Sequence, residues 1–279
     1  MSFIQELKTL KNHILSWLWS FVIISFVIFT VGLSKIKIFG WDFIAPTFSQ
    51  HSLATMFFDL IRRDLLPEGV KLIAVSPVSA FVSQVTVSLL LAFVLTFPFF
   101  LFKLSGYLSP ALHDNEKKAI TRIFIPSIML FFTGALFAYF SLIPETFRVL
   151  YSFNALVGAE PFFSISEFIG WVFVLMFATG VMFLLPIFMY LLGRLGVIRP
   201  NFWRENWRGA FLVFLIVSAV ITPDGSGVTM MLLSAPLVAL YGLGIGLSGI
   251  SARKSFPVHR RDLPRHGRGL PKRAVHERI

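Results

Sequence analysis

The chain has 279 residues, 56% of them hydrophobic and 14% charged, with a mean hydropathy of +0.78 and a formal net charge of +11. A soluble domain averages about 25% charged residues, and here the apolar residues come in long blocks, so an ordinary soluble enzyme is excluded and a polytopic membrane protein is indicated. The absence of cysteine from the sequence removes disulfides, thiolate metal sites and cysteine catalysis.

Six spans are expected in an all-α, membrane-embedded fold: roughly Ile14–Leu33, Val78–Phe102, Ala119–Ile143, Phe168–Leu192, Gly209–Thr222 and Val228–Ile250. A helix rising about 1.5 Å per residue needs about 20 residues to cross a hydrocarbon core about 30 Å thick. The first run is long enough to span and is not followed by a small-residue cleavage site, so it reads as a retained helix rather than a cleaved signal peptide. The fifth is held between Arg208 and Pro223, which leaves about 14 residues, or roughly 21 Å of helix. The sixth is interrupted on paper by Pro236 and several glycines. A cupped bundle with shortened fifth and sixth spans follows as the expectation.

Between the first two spans lies a long loop, Ser34–Pro77. Within it, Leu53, Met56, Phe57, Leu60, Ile61 and Leu65 recur at helical spacing, which predicts a surface helix over the bundle. Pro98, Pro126, Pro186 and Pro236 fall inside or at the ends of spans, where each removes a backbone bond and bends its helix. Gly134 and Ala138 form a small-xxx-small pair that allows close approach of a neighbouring helix.

Lysine and arginine placement sets the orientation. With the N-terminus inside, the inner segments hold 19 basic residues against six outside, so both termini are expected in the cytoplasm. Residues 1–250 then form the membrane domain. Residues 251–279 form a basic tail with nine Lys and Arg, three His and three Pro, expected to be disordered and drawn to anionic headgroups rather than to nucleic acid.

Several chemistries can be set aside. No GxxxxGK[ST] or HExxH motif is present, and His13, His51, His113, His259, His266 and His276 all lie outside or at the edge of the spans. No aspartate sits in the middle of a span. Ion-coupled transporters usually carry ionisable residues near the midplane; here the spans offer hydroxyls and Gln84, with Lys103, Glu167 and Asp224 at their edges. A secondary transporter of a small solute is the rival reading.

What remains is a pair of carboxylates at the inner face, Glu6 in FIQELKTLKNHI and Glu116 in HDNEKK. Either could grip a guanidinium through two parallel hydrogen bonds. Either also fits a structural role. Asp114 suits a helix cap and Glu116 the first turn behind it, while Glu6 suits the start of an amphipathic helix with Phe3, Leu7, Leu10 and Ile14 as its apolar stripe.

These residues are part of a longer pattern. LSPAL-x-x-x-E-[KR]-[KR] from Leu108 to Lys118, G-x-x-FAYF from Gly134 to Phe140 with Pro144 after it, the TPD turn at Thr222–Asp224 and the following LLSAPLVALY together resemble TatC, the multispanning core of the twin-arginine protein translocase. ELK-x-L at Glu6–Leu10 is similar to that family's HL-x-ELR-x-RL. The resemblance runs from about Phe3 to Leu247.

The resemblance implies a receptor and not an enzyme, needing no cofactor or metal. It would bind twin-arginine signal peptides of folded cargo, assemble with single-span proteins of the TatA and TatB type, and use the protonmotive force in a cell inner membrane. Self-association is left open. By position, Glu116 matches the loop carboxylate that meets the arginine pair, Glu6 and Lys8 match the N-terminal binding elements, and Tyr107 falls where the family has an aromatic. In the outer loops, Pro46 and Asp224 match structural positions. Two departures stand out. Leu184 occupies a place that is often polar or acidic in the family, and the glutamine after the TPPD-type turn is missing.

Overall fold

The computed structural model describes residues 3–38, 41–48, 52–66, 70–108, 114–158, 162–194, 198–224 and 227–255. The tail read from the sequence as disordered therefore lies, beyond Ser255, outside the described residues. Helices dominate because a backbone in lipid has to satisfy its polar groups within its own segment.

In chain order, α1 spans Phe3–Thr30 and is followed by a hairpin of β1 (Val31–Ile38) and β2 (Trp41–Phe48). Next come α2 (Leu53–Leu65), the short β3 (Lys71–Ile73) and α3 (Ser79–Leu108). α4 (Asp114–Phe137) runs through a π-helical turn (Ala138–Leu142) into α5 (Ile143–Val157). After β4 (Phe162–Ser164) come α6 (Ile165–Met182), α7 (Leu185–Arg194), α8 (Pro200–Glu205), α9 (Trp207–Ile221) and α10 (Val228–Ser255). Five stretches are long and apolar enough to cross a membrane: Lys11–Thr30, Ser79–Lys103, Ile123–Asn154, Ile165–Arg194 and Val228–Gly249. α9, which corresponds to the fifth expected span, is the short one, with 15 residues.

Serine and threonine are tolerated inside these helices because their hydroxyls donate back to the preceding turn. Ser83 bonds the Ser79 carbonyl at 2.7 Å, Thr96 that of Ala92 at 2.7 Å and Ser127 that of Ile123 at 2.7 Å. The prolines behave differently from one another. Pro98, Pro126 and Pro236 lie inside unbroken helices. At Pro186 the helix does break: Leu184 N–H bonds back to Val181 in a tighter turn, and α7 starts afresh one residue before the proline.

The third helix does not stop near Ile143. A proline ring clashes with the carbonyl four residues before it, yet the chain passes Pro144 without ending. The turn just before it is widened, and Ile143 N–H bonds the Ala138 carbonyl five residues back, which makes room for the ring. The sixth helix likewise runs continuously through Pro236 for 28 residues, to Ser255, so the interruption expected from its proline and glycines is not a break in the helix.

Val31–Ile38 and Trp41–Phe48 pair as an antiparallel ribbon, from Val31↔Phe48 to Ile38↔Trp41; the sequence puts Val31–Leu33 in the first span and the rest in a loop, whereas the helix ends at Thr30. β3 pairs in parallel with β4, linking the segment before α3 to the segment before α6. α2 is the amphipathic helix foreseen from spacing. Ser52 caps its start by accepting from Thr55 N–H, and Ala54, Ile61 and Leu65 are buried.

The alternation of spans defines two faces. The N-terminal face holds the start of α1, the end of α3 and the start of α4; the opposite face holds α2, both strand pairs and α5. The larger hydrophobic core sits toward the opposite face, built from Ile61, Leu90, Leu142, Phe147, Phe168 and Leu233 among others. Nearer the N-terminal face a smaller cluster joins Phe97, Phe131 and Leu184.

Candidate functional site

The site residues named from the sequence occupy helix ends. Glu6 and Lys8 lie in the first turns of α1, Tyr107 is one residue from the end of α3, and Glu116 is in the first turn of α4. Their helices place them; their side-chain surroundings lie outside the described residues.

Ring contacts fix the relative heights of those helices. α1 and α3 are antiparallel, since Trp17 meets Phe93 and Phe100 (centroids 6.3 and 4.9 Å apart) while Phe29, further along α1, meets Phe81 (5.6 Å). Descending about 11 residues, or roughly 16 Å, from Trp17 reaches Glu6. The same descent along α3 from between Phe93 and Phe100 reaches Tyr107. α3 and α4 are set by Phe97 stacked on Phe131 at 3.6 Å and by Phe102 against Phe124 at 6.3 Å. Continuing from Phe124 down α4 brings Glu116 level with the region just past the end of α3. Thus Glu6, Lys8, Tyr107 and Glu116 share the N-terminal face.

The electrostatics there are predominantly positive. Lys103 lies over the Phe99 ring at 5.0 Å, and the sequence adds Lys8, Lys11, Lys117, Lys118 and Arg122 at the same helix ends. Glu6, Asp114 and Glu116 are carboxylates among these cations, an arrangement suited to a ligand with concentrated positive charge, held by charge-assisted hydrogen bonds.

The aromatic belt that sets these heights is legible only in retrospect. Trp17 and Phe21 stack at 5.7 Å one helical turn apart, and Phe93, Phe97 and Phe100 recur at helical spacing on α3. That spacing was the available signal, diluted by the 33 phenylalanines of the sequence.

The remaining predicted residues are on the opposite face. Pro46 lies in β2, paired in register with Leu33. Asp224 is buried between α9 and α10, beside Thr222, whose hydroxyl bonds the Ser218 carbonyl at 2.9 Å. Gly227, with φ of 76°, then allows the chain to turn into α10. Leu184 is buried against Phe97 and Phe131, so an apolar side chain fills this place.

Five stretches long and apolar enough to cross a membrane, with one shorter apolar helix beside them, define a multi-pass membrane protein of the α-helical bundle type. The family model for TatC, described as Sec-independent protein translocase protein, matches residues 5–236. The chain belongs to the TatC family, a component of the twin-arginine protein translocase.

Its relatives span both sequence and structure. A TatC protein from Cenarchaeum symbiosum is 35% identical over 204 residues, covering 73% of this chain and 77% of the relative. One from Aquifex aeolicus is 33% identical over 213 residues, covering 74% and 87%. A crystal structure described as the twin arginine translocase receptor TatC superposes with a TM-score of 0.70 at 28% identity, covering 89% of this chain and all of that one.

Proposed function

We propose that this chain is the receptor of the translocase for signal peptides carrying paired arginines, with Glu6, Lys8, Tyr107 and Glu116 as its binding elements. The supporting observation is the antiparallel packing of α1 on α3 and of α3 on α4, which brings Glu6 and Glu116 to one face although 110 positions separate them. Each carboxylate offers a guanidinium two parallel hydrogen bonds, and the surrounding lysines repel cationic segments that lack that fit. The apolar part of the peptide then lies along the bundle. Pro46 and Asp224 shape the loops of the opposite face.

The N-terminal face is cytoplasmic in this reading, with both termini inside and the protein in the inner membrane. Residues 1–250 act as the membrane domain and 251–279 as a cytoplasmic tail. Single-span proteins of the TatA and TatB type join the receptor, and folded cargo crosses at the expense of the protonmotive force. Photo-crosslinking tests the binding step. Probes at residues 6, 107 and 116 should all capture a peptide with paired arginines, and a peptide with paired glutamines should compete poorly. Capture at none of the three positions overturns the reading.

A further inference from the structure

We propose that the elbow where α8 meets α9 is a docking site for anionic phospholipid in the leaflet on the N-terminal face. Three arginines lie along this elbow, Arg199 at the N-terminal cap of α8, Arg204 in its last turn and Arg208 at the start of α9. All three are exposed, and none forms an ion pair with a described residue. Two large aromatics stand beside them, Phe202 at 47% and Trp207 at 54% exposure. The Arg208 guanidinium lies over the Trp207 ring at 5.5 Å.

Exposed tryptophan, phenylalanine and arginine at the end of an apolar helix match the layered chemistry of a bilayer boundary. Rings settle at the level of the glycerol backbone, and guanidinium groups reach the phosphates beyond it. The exposed apolar side of α9, including Phe211 and Leu212, continues directly from this elbow. A water-borne acidic protein would account for the cations but not for that continuity. A phospholipid with an anionic head and apolar tails accounts for both. Glu205 lies among the arginines and lowers the local charge without cancelling it.

The elbow is also fixed to the bundle. Tyr241 on α10 donates a 2.6 Å hydrogen bond to the Trp203 carbonyl, and the two rings meet edge to face at 6.3 Å. Bound headgroups would therefore be held at a set height relative to α10. With only about 22 Å of helix following, α9 cannot reach the far boundary of an undeformed bilayer, so its shortfall falls on the opposite leaflet. This inference depends neither on the peptide-receptor reading nor on which face is cytoplasmic.

The full-length protein, delipidated in neutral detergent, is offered dioleoyl phosphatidylglycerol and dioleoyl phosphatidylcholine, and the retained lipid is counted by native mass spectrometry. The wild type should prefer phosphatidylglycerol. The R199Q/R204Q/R208Q variant should lose more than tenfold of that preference. Each single change should lose about fivefold, the ratio expected of one headgroup-level cation. R62Q/R63Q on α2 should leave the preference intact. If the triple variant does not fold, Arg204→Gln and Arg208→Gln carry the test singly. A wild type without preference overturns the proposal, as does a preference that survives loss of the elbow arginines because the basic tail holds the lipid.

Discussion

The hydroxyl of Tyr139 donates a 2.7 Å hydrogen bond to the Oδ2 atom of Asp64, joining the π-helical turn after α4 to the last turn of α2. The two residues are 75 positions apart, and the bond adds a polar tie to the apolar packing of Ala54, Ile61 and Leu65 that seats the surface helix. Tyr139 is itself buried beneath α2, while Asp64 stays exposed.

Tyr139→Phe removes that bond and keeps the ring. A hydrogen bond to a charged group contributes about 1.5–3 kcal/mol when well shielded, and the exposure of Asp64 places the expected loss at the lower end. Hydrogen exchange should show α2 amides losing protection while α6 amides keep theirs. Equal loss in both helices would mean that the bond is not local to α2.

Glu116→Lys replaces an acceptor with a cation at the start of α4. Crosslinking of a paired-arginine peptide to residue 6 or 107 should fall at least tenfold, a change of about 1.4 kcal/mol or more. Membrane insertion should not change, and thermal stability should fall only by the helix-terminus charge effect of about 0.3–1 kcal/mol. Undiminished crosslinking would remove Glu116 from the site.

Gly134 and Gly170 give opposite forecasts. A Cβ at Gly134 would lie 2.7 Å from Phe183 Cγ and 2.8 Å from the Thr179 carbonyl oxygen, and the carbonyl belongs to a packed helix that cannot step aside. Gly134→Ala should cost about 1–3 kcal/mol through overpacking. At Gly170 no atom lies within 4 Å of the added carbon, so Gly170→Ala should stabilise α6 by about 0.5–1 kcal/mol. Thermal unfolding in detergent separates the two.

Leu184→Glu puts an acidic residue at a position packed against Phe97 and Phe131. The carboxylate would be surrounded by rings, at a cost of about 3 kcal/mol. Leu184→Met should cost less than about 1.5 kcal/mol. Unfolding midpoints of the two variants check this, and equal values would show that the cluster opens to admit the charge.

The spans and α2 were legible because each follows from a periodicity carried by its own residues. The ribbon of β1 and β2 had a signal too, the alternation Lys35, Ile36, Lys37, Ile38, but it follows an apolar helix so closely that its first three residues read as the end of that span and the rest as loop. The run past Ile143 was not legible for a specific reason: proline normally ends a helix, and the widened turn that accommodates Pro144 leaves no mark in the sequence. The pairing of Lys71–Ile73 with Phe162–Ser164 joins segments with two membrane helices between them, so no local pattern could reveal it. For the candidate site, the order of helices already placed Glu6 and Glu116 at one face. Their relative height depended on which phenylalanines of α3 meet Trp17 and Phe131, and composition does not specify that.

The unbroken run from Asp114 has segments of 24, 5 and 15 residues, which amounts to a rod about 66 Å long. A hydrocarbon layer about 30 Å thick hides less than half of it. The remainder stands beyond the hydrocarbon at the two ends, with the first turn that carries Glu116 at one tip and Val157 at the other, and with the widened turn at Ala138–Leu142 packed in the core between them. One continuous backbone therefore ties the first turn of α4 on the N-terminal face to the buried Phe147 on the opposite face, and fixes the distance between them.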